Sequence, residues 1–320
     1  MTAGLSGSLA ADERQDANKM TTMLKTIIVS AANSDYFNLI QDLFTSIEQC
    51  RGRVKCPPIA IMDCGLSEDH RTTLSRRGIA VVQFPWDYDI GSLDREPKPF
   101  LKSLVARPRL PKHFPGYDIY LWIDADCWIQ DWSAVELYLD SARRYGFSIT
   151  PAIDRSYGVI SASGNTPSEW ALSCFLECGI PREIARKWAP YPLLNAGIFA
   201  GLARAPHWDS WSRLVREIIG ATRNIGFYHD QTALNIAIRE HRLPIAMLPA
   251  RCNWQCHRAI PMCGKQGSVL IEPNPPFEPL GIIHLTDETK NGEWQLRDPD
   301  GMPHTRSLRF SANDHVSREI

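Results

Sequence analysis

Apolar residues in this chain fall into two rhythms. Short unbroken runs at positions 26–31, 58–62, 79–84 and 119–123 have the pattern of strands buried on both faces of a sheet. Between the first two, Phe37, Ile40, Leu43, Phe44 and Ile47 recur at three- and four-residue steps and predict a helix, with Ser34 placed to cap it. Ser67 stands in the same relation to a shorter helix that stops near Gly78. Strands and helices alternating at this tempo predict a parallel α/β sheet. Positions 86–115 carry prolines and basic residues instead, among them Lys98, Lys102, Arg107, Arg109 and Lys112. Beyond the fourth run, Ser133 and Glu136 form a capping-box pattern for a helix reaching Gly146, and 147–150 reads as a strand. Thr166, Pro167 and Glu169 open a helix that stops at Gly179. A small-residue strand at 195–201 leads to a helix around Trp211 and Ile219, another helix starts at Asp230-Gln231, and 281–285 is a final strand.

Candidate chemistry sits where two of these strands end. The run 119–123 stops at Asp124 and Asp126, which flank Ala125. Side chains two apart on a strand share a face, so both carboxylates can point at one place beside the sheet. Their mutual repulsion near a low-dielectric interior is costly, and a hard divalent cation with oxygen ligands relieves it while recruiting a phosphorylated substrate. A lone Asp-x-Asp is more often a solvated loop, so the pair needs support from elsewhere. His284, after Ile282 and Ile283, supplies it, because a strand-end imidazole can complete such a coordination sphere. Lys290, six residues on, is then placed to meet a diphosphate as a point charge. Lys98 and Lys102 read equally as a donor phosphate contact or as a solvated basic turn.

Composition narrows the classes. The 320 residues, 44% hydrophobic and 22% charged, can bury a full core. A formal net charge of -1 and a pI near 6.8 give no nucleic-acid footprint. Nine irregularly spaced cysteines with no secretory pattern predict a reducing, cytoplasmic setting and no disulfide framework. No apolar stretch is long enough to span a bilayer, which leaves a peripheral position on a membrane as the only membrane association expected. No Gly-x-Gly-x-x-Gly, Walker-type loop or Gly-x-Ser-x-Gly elbow is present. Cys252, Cys256, His257 and Cys263 match no common zinc spacing and read as ordinary thiols and a histidine. Trp188, Tyr191 and Trp254 are candidates to stack on sugar rings.

The order of these motifs carries a resemblance. A strand ending in Asp124-Ala125-Asp126 is followed by Asn195-Ala196-Gly197, Asp230-Gln231 with Leu234-Asn235, Leu248-Pro249, and His284 with Lys290. This resembles the GT-A nucleotide-sugar glycosyltransferases, most of all the glycogenin and galactosyltransferase type (glycosyltransferase family 8), over roughly residues 25–292. The resemblance implies a Rossmann-like α/β domain with a mostly parallel central sheet over residues 24–292; the small, polar, mixed-charge residues before it read as a disordered tail over 1–23, and 293–320 as a tail or lid. It implies metal ligation by Asp124, Asp126 and His284 (manganese, or magnesium), with a UDP-sugar as donor and a carbohydrate or glycolipid as acceptor. Lys290 matches the lysine on the donor diphosphate, and Asn195 and Asp230 match positions lining the transferred sugar and acceptor. Gln231 matches the glutamine beneath the anomeric carbon in retaining members. Asn33 matches the nucleoside pocket and Asp63 a position facing it, both more loosely, and Ala125 lies between the metal ligands. Three positions depart from the family: Asp287 replaces a glycine, no Pro-Trp pair follows Lys290, and Thr232 stands where many members carry an acid. Two other classes share features of the pattern. Haloacid-dehalogenase-type phosphatases also place Asp-x-Asp after an apolar strand, though usually the first, and a non-catalytic sugar-nucleotide-binding relative would keep the fold.

Overall fold

A computed structural model describes residues 24–160, 164–265 and 267–311. The expected tail over 1–23 and the end of the expected C-terminal segment, 312–320, lie outside the described residues. The strands in chain order are β1 (Thr26–Ala32), β2 (Ile59–Asp63), β3 (Ala80–Val82), β4 (Ile119–Ile123), β5 (Cys127–Ile129), β6 (Phe147–Pro151) and β7 (Leu194–Leu202). They are followed by β8 (Ala246–Met247), β9 (Trp254–Gln255), β10 (Met262–Cys263), β11 (Leu270–Ile271), β12 (Ile282–His284), β13 (Trp294–Arg297) and β14 (Pro303–Arg306). Seven of them form the central sheet in the order β3-β2-β1-β4-β7-β6-β8. Within it β1 pairs parallel with β2 and β4, β2 with β3, and β6 with β8, while β7 runs antiparallel to β4 and β6. The chain thus has an α/β fold with a mostly parallel sheet, as the apolar runs predict.

The unbroken runs are strands because helices cover both faces. All five residues of β4 are buried. On one side lies the Phe37–Cys50 helix with Ile40, Leu43, Phe44 and Ile47 fully buried. Its entry differs from the expectation for Ser34. A short 3-10 turn, Ser34–Tyr36, comes first, and Asn33 caps it by accepting from the Tyr36 amide at 3.2 Å. The Ser34 hydroxyl instead accepts from the Ser67 amide at 2.9 Å. Both residue types cap helices, so the sequence pattern alone does not separate them. The Ser133–Tyr145 helix likewise lacks the expected Ser133 cap; Asp131 takes that place by accepting from the Ser133 amide at 3.0 Å. Thr166 forms its capping box with Glu169, and Ser67 caps its helix by accepting from the His70 amide.

On the other side of the sheet an aromatic cluster explains much of the tryptophan content. Phe199 stacks on Trp122 at 6.4 Å and on Phe147 at 5.5 Å, and Trp211 meets it edge-on at 5.3 Å. Two indole N–H groups then tie this core to polar backbone and side chain. Trp211 donates to the Asp230 carbonyl at 2.7 Å, and Trp122 donates to Asp124 at 2.7 Å.

A second, three-stranded sheet of order β5-β12-β9 lies beside the first. β12 pairs antiparallel with β5, placing His284 opposite Cys127, and parallel with β9. Residues 293–311 are not a loose appendage. β13 and β14 form a hairpin, Leu296 and Leu308 are buried, Trp128 donates to the Leu308 carbonyl at 2.9 Å, and Arg309 pairs with Asp42 at 2.7 Å. Segment 86–115 is more structured than its prolines suggest, with helices at Leu101–Ala106 and Leu110–His113 joined by a 3-10 turn at Arg107–Arg109. Trp188 closes a short helix, Arg182–Trp188, rather than sitting in a loop. No helix among the described residues is long and apolar enough to cross a membrane.

Candidate active site

The chain reverses just after β4, and the two carboxylates lie in that reversal rather than on the strand itself. Cys127 N–H donates to the Asp124 carbonyl at 3.1 Å, closing the turn that carries Asp124, Ala125 and Asp126 into β5. Because β12 is registered on β5, His284 arrives beside Asp126, with Nε2 3.4 Å from its Oδ1. Lys290, on the 3-10 turn Asp287–Lys290, places Nζ 3.0 Å from the other Asp126 oxygen. Burial disfavours the Asp126 charge, but His284 and Lys290 outweigh it and hold the carboxyl at about 2.

Asp124 is held differently. Its Oδ1 accepts from the Trp122 indole and the Arg107 guanidinium, and Arg107 reaches on to Asp230 at 2.7 Å. Arg107 is buried, lies 4.9 Å from the Trp122 ring centre, and links both acids. Burial, with the charge of Asp126 adding to it, raises the Asp124 pKa against the pull of Arg107. Burial also raises Asp230, with Arg107 again opposing.

A chain of amides fixes the histidine. Asn195 Oδ1 accepts from the Gly197 amide at 3.0 Å and from Asn253 Nδ2 at 2.9 Å. Asn253 therefore turns its Oδ1 to His284 Nδ1, 2.9 Å away, and Nδ1 must carry the proton. Nε2 is then the ring nitrogen that faces Asp126, and it is the atom left to bind a metal. Gln231 Oε1 accepts from the Ala196 amide at 3.0 Å and weakly from Asn195 at 3.4 Å.

Space for an ion is kept by Gly197 in β7. A Cβ there would stand 2.5 Å from His284 Cε1, 2.8 Å from Asn195 Oδ1 and 3.0 Å from Asp124 Oδ2. Asp126, Cys127 and His284 offer ligand atoms all within 4.8 Å of one another. Burial, together with Asp126 and Asp124, drives the Cys127 thiol well above its ordinary value, so the available donors are carboxylate oxygens and an imidazole nitrogen. That set suits manganese or magnesium better than a thiolate-bound metal.

These groups open into a cleft of about 790 Å³ at the end of β1 and β4. Asn33, Asp35 and Tyr36 line it together with Asp124, Ala125, Asp126, His284 and Lys290, and so do Asn195, Asp230 and Gln231. Three candidates stand apart. Asp63 is buried and accepts from the Gly65 and Leu66 amides and from Arg71, away from the cleft lining. Lys98 is exposed on a loop outside the cleft, and Lys102 donates to the Phe84 carbonyl at 2.8 Å. Among the aromatic candidates, Trp254 is buried, and Trp188 and Tyr191 pack on each other at 5.3 Å and on Arg239, outside the lining. All nine cysteines are free, and burial pushes the Cys252 thiol up to about 11, as an ordinary core thiol. Arg107 and Asn253 are the residues that sequence reasoning did not single out.

No protein-family model matches the chain, and no curated protein matches it. Solved structures do. One is the galactosyltransferase LgtC in complex with donor and acceptor sugar analogs (TM-score 0.52, 16% identity, covering 82% of this chain and 88% of that one). Another is an active-site mutant of LgtC (TM-score 0.52, 16% identity, 82% and 87%). This chain has the GT-A glycosyltransferase fold. That fold removes the phosphatase alternative, whose acidic pair belongs at the end of the first strand; here β1 runs into Asn33.

Proposed function

We propose that this protein is a metal-dependent glycosyltransferase of the glycogenin and galactosyltransferase type, moving a hexosyl group from a UDP-sugar to a hydroxyl of a carbohydrate or glycolipid. The observation that carries this reading is the meeting of Asp124, Asp126, His284 and Lys290 around the space kept by Gly197, inside a GT-A cleft. Fold likeness to LgtC, crystallised with donor and acceptor sugar analogs, supports it.

In this reading Asp124, Asp126 and His284 hold the cation. Bound there, a divalent ion offsets the donor diphosphate's charge and the charge that grows on it as it leaves. Lys290 adds a second positive group to the same oxygens, so the diphosphate departs without a strong acid. Asn33, with Asp35 and Tyr36, takes the nucleoside end. Arg107 fixes the Asp230 carboxyl, and the oxygen that Arg107 does not hold is placed to accept a hydroxyl of the transferred sugar. The bond between the anomeric carbon and the diphosphate oxygen breaks, and a bond to the acceptor oxygen forms. The acceptor's proton must leave in the same event. Asp230 is 1% exposed and clamped by Arg107, which suits it to holding sugar hydroxyls more than to taking that proton. The departing diphosphate oxygen is then the acceptor for the proton, the route of a retaining transfer.

The test is a panel of UDP- and GDP-sugars with manganese present or chelated. Manganese-dependent release of nucleoside diphosphate from one donor, abolished in Asp126→Asn, is the expected result. A chain that neither turns over any donor nor binds UDP and manganese in a calorimeter overturns the proposal. Binding without turnover, even with a full acceptor panel, identifies the non-catalytic relative instead.

A further inference from the structure

A second cavity, of about 720 Å³, opens at the other end of the sheet from the acidic turn. The pairing of β4 with β7 runs from Ile123 and Ile198, beside that turn, to Ile119 and Leu202. Ala203, just after β7, lines the cavity and donates to the Asp118 carbonyl at 2.8 Å. It lies six positions beyond Gly197, a span of about 20 Å along a strand, so a donor held at the acidic turn leaves this space free. Three segments contribute cations to the lining: Arg109 and Lys112 from the turn and short helix around Pro108, Arg204 from the loop after β7, and Arg213 and Arg216 from the His207–Thr222 helix. Against them, among the described residues, the lining holds the carboxylate of Asp209. Asp87, whose side chain is buried, meets Lys112 at 3.2 Å and Arg109 at 3.8 Å, but it also holds His113 at 2.6 Å. Arg109 Nε is buried without a hydrogen-bond partner, and Arg213 reaches the neighbouring His241 ring at 3.2 Å. Arg204 and Arg216 have no ion-pair partner among the described residues.

We propose that this cavity is a binding site for a phosphorylated ligand, separate from the donor cleft. The protein as a whole is close to neutral, at a formal charge of -1, so the excess of cations here is local. Like charges three positions apart on a helix face, as at Arg213 and Arg216, destabilise the free protein, and a bound anion removes that repulsion. Apolar lining comes from Pro108, Pro206 and the buried Trp208. Walls of low dielectric beside one sign of charge focus its field on the enclosed space. Four of the five cations are arginines, whose planar forks match phosphate oxygens in pairs and stay charged at every physiological pH. The volume falls among those of small-molecule sites, roughly 300–1,000 Å³, and exceeds what orthophosphate fills. The ligand is therefore a diphosphate or the phosphorylated head of a larger molecule. One 3-10 turn, Arg107–Arg109, borders both sites: Arg107 reaches Asp124 and Asp230, while Arg109 lines this cavity. The site stands whether or not the cleft transfers sugar.

The experiment uses the full chain in EDTA, which keeps metal out of the acidic turn. Inorganic pyrophosphate is titrated in a calorimeter, and phosphatidylcholine vesicles with and without phosphatidic acid are sedimented with the protein. At least one of the two phosphate probes should bind saturably, and more weakly as salt rises. Arg204→Glu with Arg216→Glu, at two exposed positions, should weaken that binding about tenfold or more. Arg53→Glu with Arg186→Glu makes the same charge change at exposed positions outside the cavity and should leave affinity within about threefold. Both double variants should keep a cooperative urea transition. Capture by phosphatidic acid vesicles that pyrophosphate displaces identifies a lipid headgroup as the source of the phosphate; pyrophosphate binding without capture identifies a soluble ligand. Absence of saturable binding by either probe overturns the site. So does an Arg204→Glu, Arg216→Glu protein that binds no more weakly than the Arg53→Glu, Arg186→Glu control.

Discussion

Arg107 answers the repulsion argument that Asp124 and Asp126 raise on sequence grounds, but only for one of them. It neutralises Asp124 together with Asp230, leaving Asp126 to His284 and Lys290. Taking away the cation leaves the buried Asp230 carboxyl without its partner and the half-buried Asp124 with only the Trp122 indole, a loss of about 3–5 kcal/mol for a broken buried pair. Arg107→Met should therefore lower the urea midpoint sharply, and Arg107→Lys should recover little, since one ammonium does not reproduce the fork that spans both acids. An Arg107→Met protein as stable as the wild type would remove Arg107 from this role. Asn253 acts more quietly, by fixing the His284 tautomer. Asn253→Leu should reduce manganese affinity about 10–100-fold with the fold kept, measured by electron paramagnetic resonance of the free ion. Unchanged affinity would mean that the tautomer is set by something else. Neither residue stood out in the sequence as a candidate for the site, whereas Asp124, Asp126, His284 and Lys290 did. The legible ones end strands or follow them closely. Arg107 finds its partners 17 and 123 positions away, and Asn253 finds His284 at 31, so no local spacing announces either.

At the scale of elements, legibility followed length and repetition. The long apolar runs and the three- and four-residue steps located β1, β2, β4, β7 and the longer helices. The two-residue strands β8 to β11 and the Leu101–Ala106 helix are too short to show a period, and prolines at 97, 99, 108 and 111 obscure the latter. The close approach of β7 to the acidic turn also lay beyond the pattern, though the small residues Asn195-Ala196-Gly197 hinted at it. It gives a direct test. Gly197→Ala forces its Cβ against His284 and Asp124, whose side chains have little room to move, and should cost about 1–3 kcal/mol as well as manganese binding. Gly220→Ala is the control, since nothing lies within 4 Å of that position in the His207–Thr222 helix, and it should be neutral or stabilising by up to about 1 kcal/mol. Equal effects at the two sites, by urea unfolding and manganese titration, would refute the crowding argument.

For the whole molecule, what the sequence could not disclose was direction. A buried apolar run reads the same parallel or antiparallel, so the reversal of β7 between β4 and β6 became visible only in the sheet. That reversal helps bring Phe147 and Phe199 together under the His207–Thr222 helix, and it buries His207 against them. The His207 ring stacks on Phe147 at 4.6 Å and is fully buried. Burial lowers its pKa from 6.5 to about 4, and the same cause does so for His229, which accepts from the Gly226 amide at 3.1 Å. Since both folded values lie below the unfolded one, the unfolded chain binds more protons between them. Stability is then complete above pH 6.5 and is lost as the pH falls toward 4, by on the order of 3 kcal/mol for each histidine. Asp63, whose carboxyl is held low against burial by the Leu66 amide, Arg71 and the Gly65 amide, adds a loss only below about pH 4. Acid sensitivity should therefore begin near pH 6.5, well before a carboxylate held low like Asp63 titrates. Urea midpoints measured from pH 7.5 to 4.5 should fall steeply in the wild type and less steeply in His207→Phe, which keeps the stacked ring but has no proton to take up. Parallel slopes for the two proteins would show that His207 is not among the groups that couple folding to pH.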